Sequence, residues 1–110
     1  MTPQEFLFEM ARTASMHSFE EHMNLISKDV KVYGVPDHDV ITYDDWFNQC
    51  KQEFENKLLT SVGYEDVHTL YKNTDDMCFI ANEEIEASDG KKNAHCVKFI
   101  IKKEVDGQWR

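Results

Sequence analysis

The sequence holds no apolar run approaching the roughly 18 residues that a membrane-spanning helix needs, so no membrane association is expected. Its start, MTPQEFLFEM, has neither the basic residues nor the apolar core of a secretory leader. The three cysteines, Cys50, Cys78 and Cys96, are odd in number and form no Cys-x-x-Cys pair. That suits reduced, mostly buried thiols in a cytoplasm and speaks against a disulfide framework. No glycine-rich phosphate loop, His-Glu-x-x-His motif or Ser-His-Asp arrangement occurs. An activated nucleophile, a nucleotide cofactor and zinc are therefore unsupported, and neither cofactor nor metal is expected. Basic residues are scarce as well. Residues 1–56 carry four Lys/Arg against eleven Asp/Glu, and residues 57–110 eight against ten, for a net charge of −9. Nucleic-acid binding needs a basic footprint, so no such partner is expected. The negative charge reads as a solubility feature.

What is present suits one folded domain spanning 1–110, with no repeat, low-complexity stretch or linker. An apolar fraction of 41%, with seven Phe, four Tyr and two Trp, is enough to build a core without metal or disulfide support. Three helix starts use one device. Thr2-Pro3-Gln4-Glu5 and Ser18-Phe19-Glu20-Glu21 read as capping boxes, and Thr42-Tyr43-Asp44-Asp45 as a looser version. Each offers a side-chain oxygen to amides that the first turn leaves unpaired, with acid where the helix dipole favours it. The predicted helices run to about residue 15, over about 18–27 and over about 43–56. The crowding of Phe6, Leu7 and Phe8 predicts that the first buries more than one side. Phe19, His22, Met23 and Ile26 share a face of the second, and Trp46, Phe47, Cys50 and Phe54 one of the third, all read as core.

Strands dominate the rest. Val30–Val35 is a short β-branched stretch, followed by a turn at Pro36-Asp37-His38-Asp39. Longer strands are predicted over 58–72, with Gly63 marking a bulge or bend, and over 77–87 and 93–104. Asn73–Asp76 reads as a turn, and Ser88-Asp89-Gly90-Lys91 as a hairpin. His95, Val97, Phe99 and Ile101 alternate onto one face of the last strand, which should point to the core. Val105–Arg110 reads as another hairpin turn with the first residues of a further strand.

Helix, helix, strand, helix and long strands, with the Thr74-Asp75-Asp76-Met77-Cys78 turn and the closing Gly107-Gln108-Trp109-Arg110, resemble the nuclear transport factor 2-like superfamily, and within it the small SnoaL-like bacterial branch. The resemblance implies an α+β cone: three N-terminal helices packed on a strongly curved antiparallel sheet that wraps a pocket, here without its final strand. It also implies a homodimer through the outer face of the sheet. Activities in that superfamily run from dehydratases and isomerases to non-catalytic binding, so fold alone does not choose function.

Enzymes of this kind rely on an Asp or His, helped by Tyr or Trp, in an apolar pocket where burial brings pKa values toward neutrality. His95 starts the apolar face of its strand, with Glu83 or Glu84 on the facing strand. A two-residue loop would set Glu84 opposite His95; a loop one residue longer would align Glu83 with Val97, still near His95 diagonally. Either gives a candidate acid–base pair, whose bland counterpart is an ion pair at the rim. Asp37-His38-Asp39 reads as a solvated acidic turn rather than a metal site. His68 with Asp66 forms another possible pair, while His17 and His22 show no ligand spacing. Tyr33, His38, Trp46 and Tyr64 are the candidate ligand-binding residues, offering pocket walls with a polar tip. The leading reading is a protein that binds a small apolar or amphipathic molecule. Its rivals are a cofactor-independent lyase or isomerase using the His–Glu pair, and a dimeric interaction module.

Overall fold

In the computed structural model, residues 1–32 and 39–110 are described. Helix α1 spans Pro3–Ser15, α2 Phe19–Met23 and α3 Tyr43–Glu55; strands β1 Leu59–Lys72, β2 Asp76–Ala87 and β3 Lys92–Lys102 follow. The strands form an antiparallel meander in the order β1-β2-β3, against which the helices pack. This is the α+β arrangement that the sequence predicts.

Two of the three helix starts carry the predicted cap. Thr2 Oγ1 accepts from the Glu5 amide at 3.1 Å, and Glu5 returns the bond to the Thr2 amide at 3.2 Å. At α3, the amide and the hydroxyl of Thr42 each donate to Asp45 Oδ2 at 3.0 Å. Ser18, by contrast, makes no side-chain cap, and α2 stops at Met23 rather than near residue 27. Beyond Met23 the chain tightens into three-residue turns, Leu25 N–H to His22 O and Ile26 N–H to Met23 O, a common way for a helix to end.

Helix α1 buries one stripe only. Phe6, Leu7, Met10, Thr13 and Ala14 face the core, while Phe8 is 66% exposed, contrary to the expectation from crowding. A 3.6-residue period puts Phe8 two positions past Phe6, on the opposite flank. Met77, Phe79, Ala81 and Ile101 supply the sheet side of the core, with Met23, Ile26, Cys50 and Phe54 from the other helical segments. Phe79 stacks on Phe99 at 5.2 Å, and Phe6 meets both rings edge-on at 6.2 Å. Burying a side chain such as Phe79 stabilises by about 2–3 kcal/mol.

The bulges of the sheet lie elsewhere than predicted. Gly63 stays in register opposite Glu84, and the irregularities fall between Leu59 and Ser61, Glu65 and His68, and Thr69 and Tyr71. Asp66 takes the left-handed conformation at φ 52°, which Asp tolerates better than most side chains, so it absorbs the extra residue there. Of the predicted strand at 30–35, Val32 pairs with Ile41 through two main-chain hydrogen bonds of 2.9 Å; residues 33–35 lie outside the described residues. The further strand after β3 begins as predicted. Lys103 bridges Trp109 across a turn closed by Gly107 at φ 84°.

Candidate functional site

The hairpin joining β2 to β3 decides which carboxylate meets His95. Gly90 N–H donates to Ala87 O at 3.0 Å, Ala87 N–H to Lys91 O at 2.8 Å, and Gly90 takes φ 87°. This is a three-residue loop with a left-handed third position, which glycine adopts without penalty. Because the loop is Ser88-Asp89-Gly90, it sets Glu83 directly opposite His95 and leaves Ala81 opposite Val97, so the expected alignment of Glu83 with Val97 is corrected. Glu84 faces Ala94 instead and is exposed on the outer side of the sheet, so its expected role beside His95 is corrected. One residue of register moves a side chain to the other face.

On the inner face a hydrogen-bonded row then crosses all three strands. Tyr64 is opposite Glu83, and its hydroxyl donates to Glu83 Oε2 at 2.7 Å; His95 Nε2 meets Glu83 Oε1 at 3.0 Å. The side chain of Glu83 is 17% exposed and that of His95 51%. Burial, and then the charge of Glu83, push the Tyr64 phenol well above its usual range, so Tyr64 stays a donor. With Nε2–H committed to Glu83, Nδ1 of the half-exposed His95 ring is the nitrogen left to accept from a ligand. Partly buried Val62, Val97 and Phe99 flank the row, and Phe99 meets Tyr64 edge-on at 6.0 Å.

The other candidates are not brought to this row. Trp46 lies on α3, where its ring is 6.4 Å from that of His22; its indole Nε1 is buried without a hydrogen-bond partner among the described residues. Tyr33, His38 and Asp37 lie outside the described residues, and Asp39 is exposed. Asp66 accepts from Asn82 at 3.0 Å rather than pairing with His68. Among the described residues, no three His, Cys, Asp or Glu side chains are grouped to hold a metal ion, and no helix is long and apolar enough to cross a membrane.

A second polar centre lies between α1 and α2. His22 is 5% exposed, its Nδ1 2.9 Å from the hydroxyl of Thr13, which itself lies 2.8 Å from the Glu9 carbonyl oxygen. Burial lowers the His22 pKa to about 4. Nearby, burial, then the charge of Glu53, push the Cys50 thiol up to about 12. Both groups are held neutral. A helical stripe containing a His gives no sign of which way its protons go, so sequence spacing carried no signal for this pair.

A groove of about 490 Å³ opens between α2, the start of α3 and the turn after β3, with Phe19, Met23, Tyr43, Phe47 and Arg110 in its walls. It contains neither His95 nor Tyr64. Seven residue steps along β3 lead from His95 to Lys102 beside the groove, roughly 23 Å at a strand's rise.

No family model matches the sequence, and no curated protein matches it. Solved structures do. A nuclear transport factor 2-like protein with a cystatin-like fold from Novosphingobium aromaticivorans superposes with a TM-score of 0.71 over 96% of this chain and 72% of its own, at 12% identity. This chain has the nuclear transport factor 2-like fold. A ketosteroid isomerase-like protein from Erwinia carotovora atroseptica shares the fold with a TM-score of 0.68 over 97% of this chain and 85% of its own, at 13% identity. A protein from Novosphingobium aromaticivorans named as a candidate scytalone dehydratase matches at 0.72, covering 97% and 74%, with 12% identity. Within the nuclear transport factor 2-like fold, the Tyr64–Glu83–His95 row lies on the concave side of the sheet, which the helices cover in part.

Proposed function

We propose that this chain binds a small apolar or amphipathic molecule on the concave face of its sheet, with the Tyr64–Glu83–His95 row as its polar contact. The observation that carries this reading is the row itself: one partly buried donor, one shielded carboxylate and one half-exposed imidazole in a single hydrogen-bonded line. A surface ion pair needs no phenol hydroxyl bonded behind it. The apolar flank of Val62, Val97 and Phe99 suits a ring or short alkyl body, while a ligand hydroxyl would donate to Nδ1 of His95. Reduced thiols and the acidic charge fit a cytoplasmic setting.

The test is ligand binding followed at His95. Titrating 2-naphthol, whose hydroxyl can donate to His95, should shift the His95 ring resonances and raise the melting temperature, and 2-acetylnaphthalene, which lacks a donor, should bind more weakly. Glu83→Gln, which weakens the hold on the imidazole, should loosen binding about tenfold, the worth of one charge-assisted hydrogen bond. Ligands that bind without moving the His95 signals would place recognition elsewhere.

One observation favours a second reading, proton transfer in a lyase or isomerase. Glu83 holds the His95 ring in one orientation, as a general base requires, and two proteins of the same fold carry isomerase and dehydratase names. If it holds, His95→Ala should abolish turnover of an enolisable ketone with an unchanged circular dichroism spectrum. Retained turnover would remove His95 from the chemistry.

A further inference from the structure

The buried centre around His22 holds a matched set of bonds on one side and an unmatched donor and acceptor on the other. Thr13 Oγ1 lies 2.8 Å from Glu9 O and 2.9 Å from His22 Nδ1. Two oxygens so close need a hydrogen between them, and a carbonyl has none to give. The Thr13 hydroxyl therefore donates to Glu9, back along its own helix. Toward His22 it is then the acceptor, which puts the imidazole proton on Nδ1 and a lone pair on Nε2. Among the described residues the His22 ring bonds through Nδ1 alone.

Trp46 supplies the complementary group. Its Nε1–H is buried and has no acceptor among the described residues. The two rings are neighbours, with centroids 6.4 Å apart and planes tilted by 30°. An indole nitrogen only donates and the bare imidazole nitrogen only accepts, yet no bond joins them directly. Phe54, 5.3 Å from the His22 ring, and buried Cys50, four residues on from Trp46, make the rest of the lining apolar. Burial also lowers the His22 pKa to about 4, so Nε2 stays an acceptor at neutral pH.

We propose that His22 and Trp46 form a site for a single hydroxyl oxygen, which accepts from Trp46 Nε1–H and donates to His22 Nε2. A hydroxyl does both through one atom; a carbonyl, ether or carboxylate only accepts, and an ammonium only donates. Two bonds of about 2.9 Å meeting at a tetrahedral oxygen hold their nitrogens about 4.7 Å apart. Rings with centroids 6.4 Å apart can present that span. Water and a small alcohol share the required chemistry, and leftover polar groups in protein interiors are commonly met by such an oxygen. The site lies among the helices, apart from the Tyr64–Glu83–His95 row, and does not depend on what that row binds.

The test reads both nitrogens by NMR in the isotope-labelled full chain at neutral pH. Trp46→Phe identifies which of the two indole signals belongs to Trp46. The Trp46 N–H should lie downfield, as a hydrogen-bonded indole does, and His22 should carry its proton on Nδ1. A cross-relaxation peak from this N–H to water that ethanol leaves in place identifies the oxygen as water. Its replacement, on titration, by peaks to the ethanol protons identifies an alcohol site. His22→Phe keeps a ring but removes the acceptor, and should move the Trp46 N–H upfield and erase the peak. Should that variant not fold, Trp46→Phe reads the bridge from the other side, and His22 Nε2 should shift to its unbonded position. A His22 proton on Nε2, a Trp46 signal unmoved by His22→Phe, an Nε2 signal unmoved by Trp46→Phe, or a Trp46 N–H with a peak to neither water nor ethanol would overturn the site.

Discussion

Protonating His22 in its folded position puts a charge among Trp46, Phe54 and the helix cores, beside the Thr13 hydroxyl. The unfolded chain takes the same proton near pH 6.5, while the folded one holds off until about pH 4. Stability from this group is thus fully present above pH 6.5 and falls as pH drops toward 4, by about 3 kcal/mol over the window. Urea unfolding from pH 7 to 4 should show that decline. His22→Gln should start lower and stay flatter over the same range. Tyr64 gives the complementary case. Tyr64→Phe leaves one Glu83 oxygen without its donor inside the sheet, at a cost of about 1–2 kcal/mol by thermal unfolding. His95 and Glu83 were legible in the sequence as ionisable side chains on an apolar alternation. His22 was not, because burial of a histidine depends on what three helices bring to it.

At the scale of elements, both long helices end in one motif filled by the wrong residue. Ser18 N–H bonds Thr13 O at 2.9 Å and His17 N–H bonds Ala14 O; Leu58 N–H bonds Glu53 O at 2.9 Å and Lys57 N–H bonds Phe54 O. His17 and Lys57 take φ 55° and 52°, where a Cβ is penalised and glycine is the usual occupant. Lys57→Gly should therefore stabilise by up to about 1 kcal/mol, read as a raised urea midpoint with unchanged slope. His17→Gly should gain less, since His17 Nε2 also lies 2.8 Å from Leu59 O. Helix starts were legible because a cap is a local event between residues three apart, and strand extents because alternation is local too. Registers were not. Counting back from Lys72 opposite Met77 would set Tyr64 against Ile85, but two bulges in β1 move it to Glu83. The bulge near Asp66 carried no glycine to announce it, and Gly63, which looked like one, lies in regular strand. The contact that makes the candidate site thus depends on irregularities that composition does not mark.

Across the whole molecule, the far ends of the sequence are held together by Arg110. Its guanidinium donates to Asn24 O at 2.8 Å, to Asn24 Oδ1 at 2.9 Å, to Glu104 at 2.9 Å and to Asp106 at 2.8 Å. The side chain is 13% exposed, and its carboxylate partners raise its pKa. In a chain of net charge −9, this cation lets two carboxylates sit beside the end of α2. Gln108 Nε2 adds a bond to Asn24 O at 3.0 Å, and Ser27 donates to Glu104 at 2.8 Å, so the turn after β3 is fastened to the segment after α2 by side chains. These bonds span more than 75 residues of sequence and hold the wall of the groove against the core. Arg110→Met keeps much of the apolar stem but leaves Glu104 and Asn24 with unmet acceptors. It should lower stability by about 1–2 kcal/mol, less than a fully buried pair would, because the carboxylates keep contact with water. The loss should shrink in acid as Asp106 takes a proton, since the Gln108 amide and then the Arg110 guanidinium hold its carboxyl below the usual range. Were Arg110 only packing, the loss would be independent of pH.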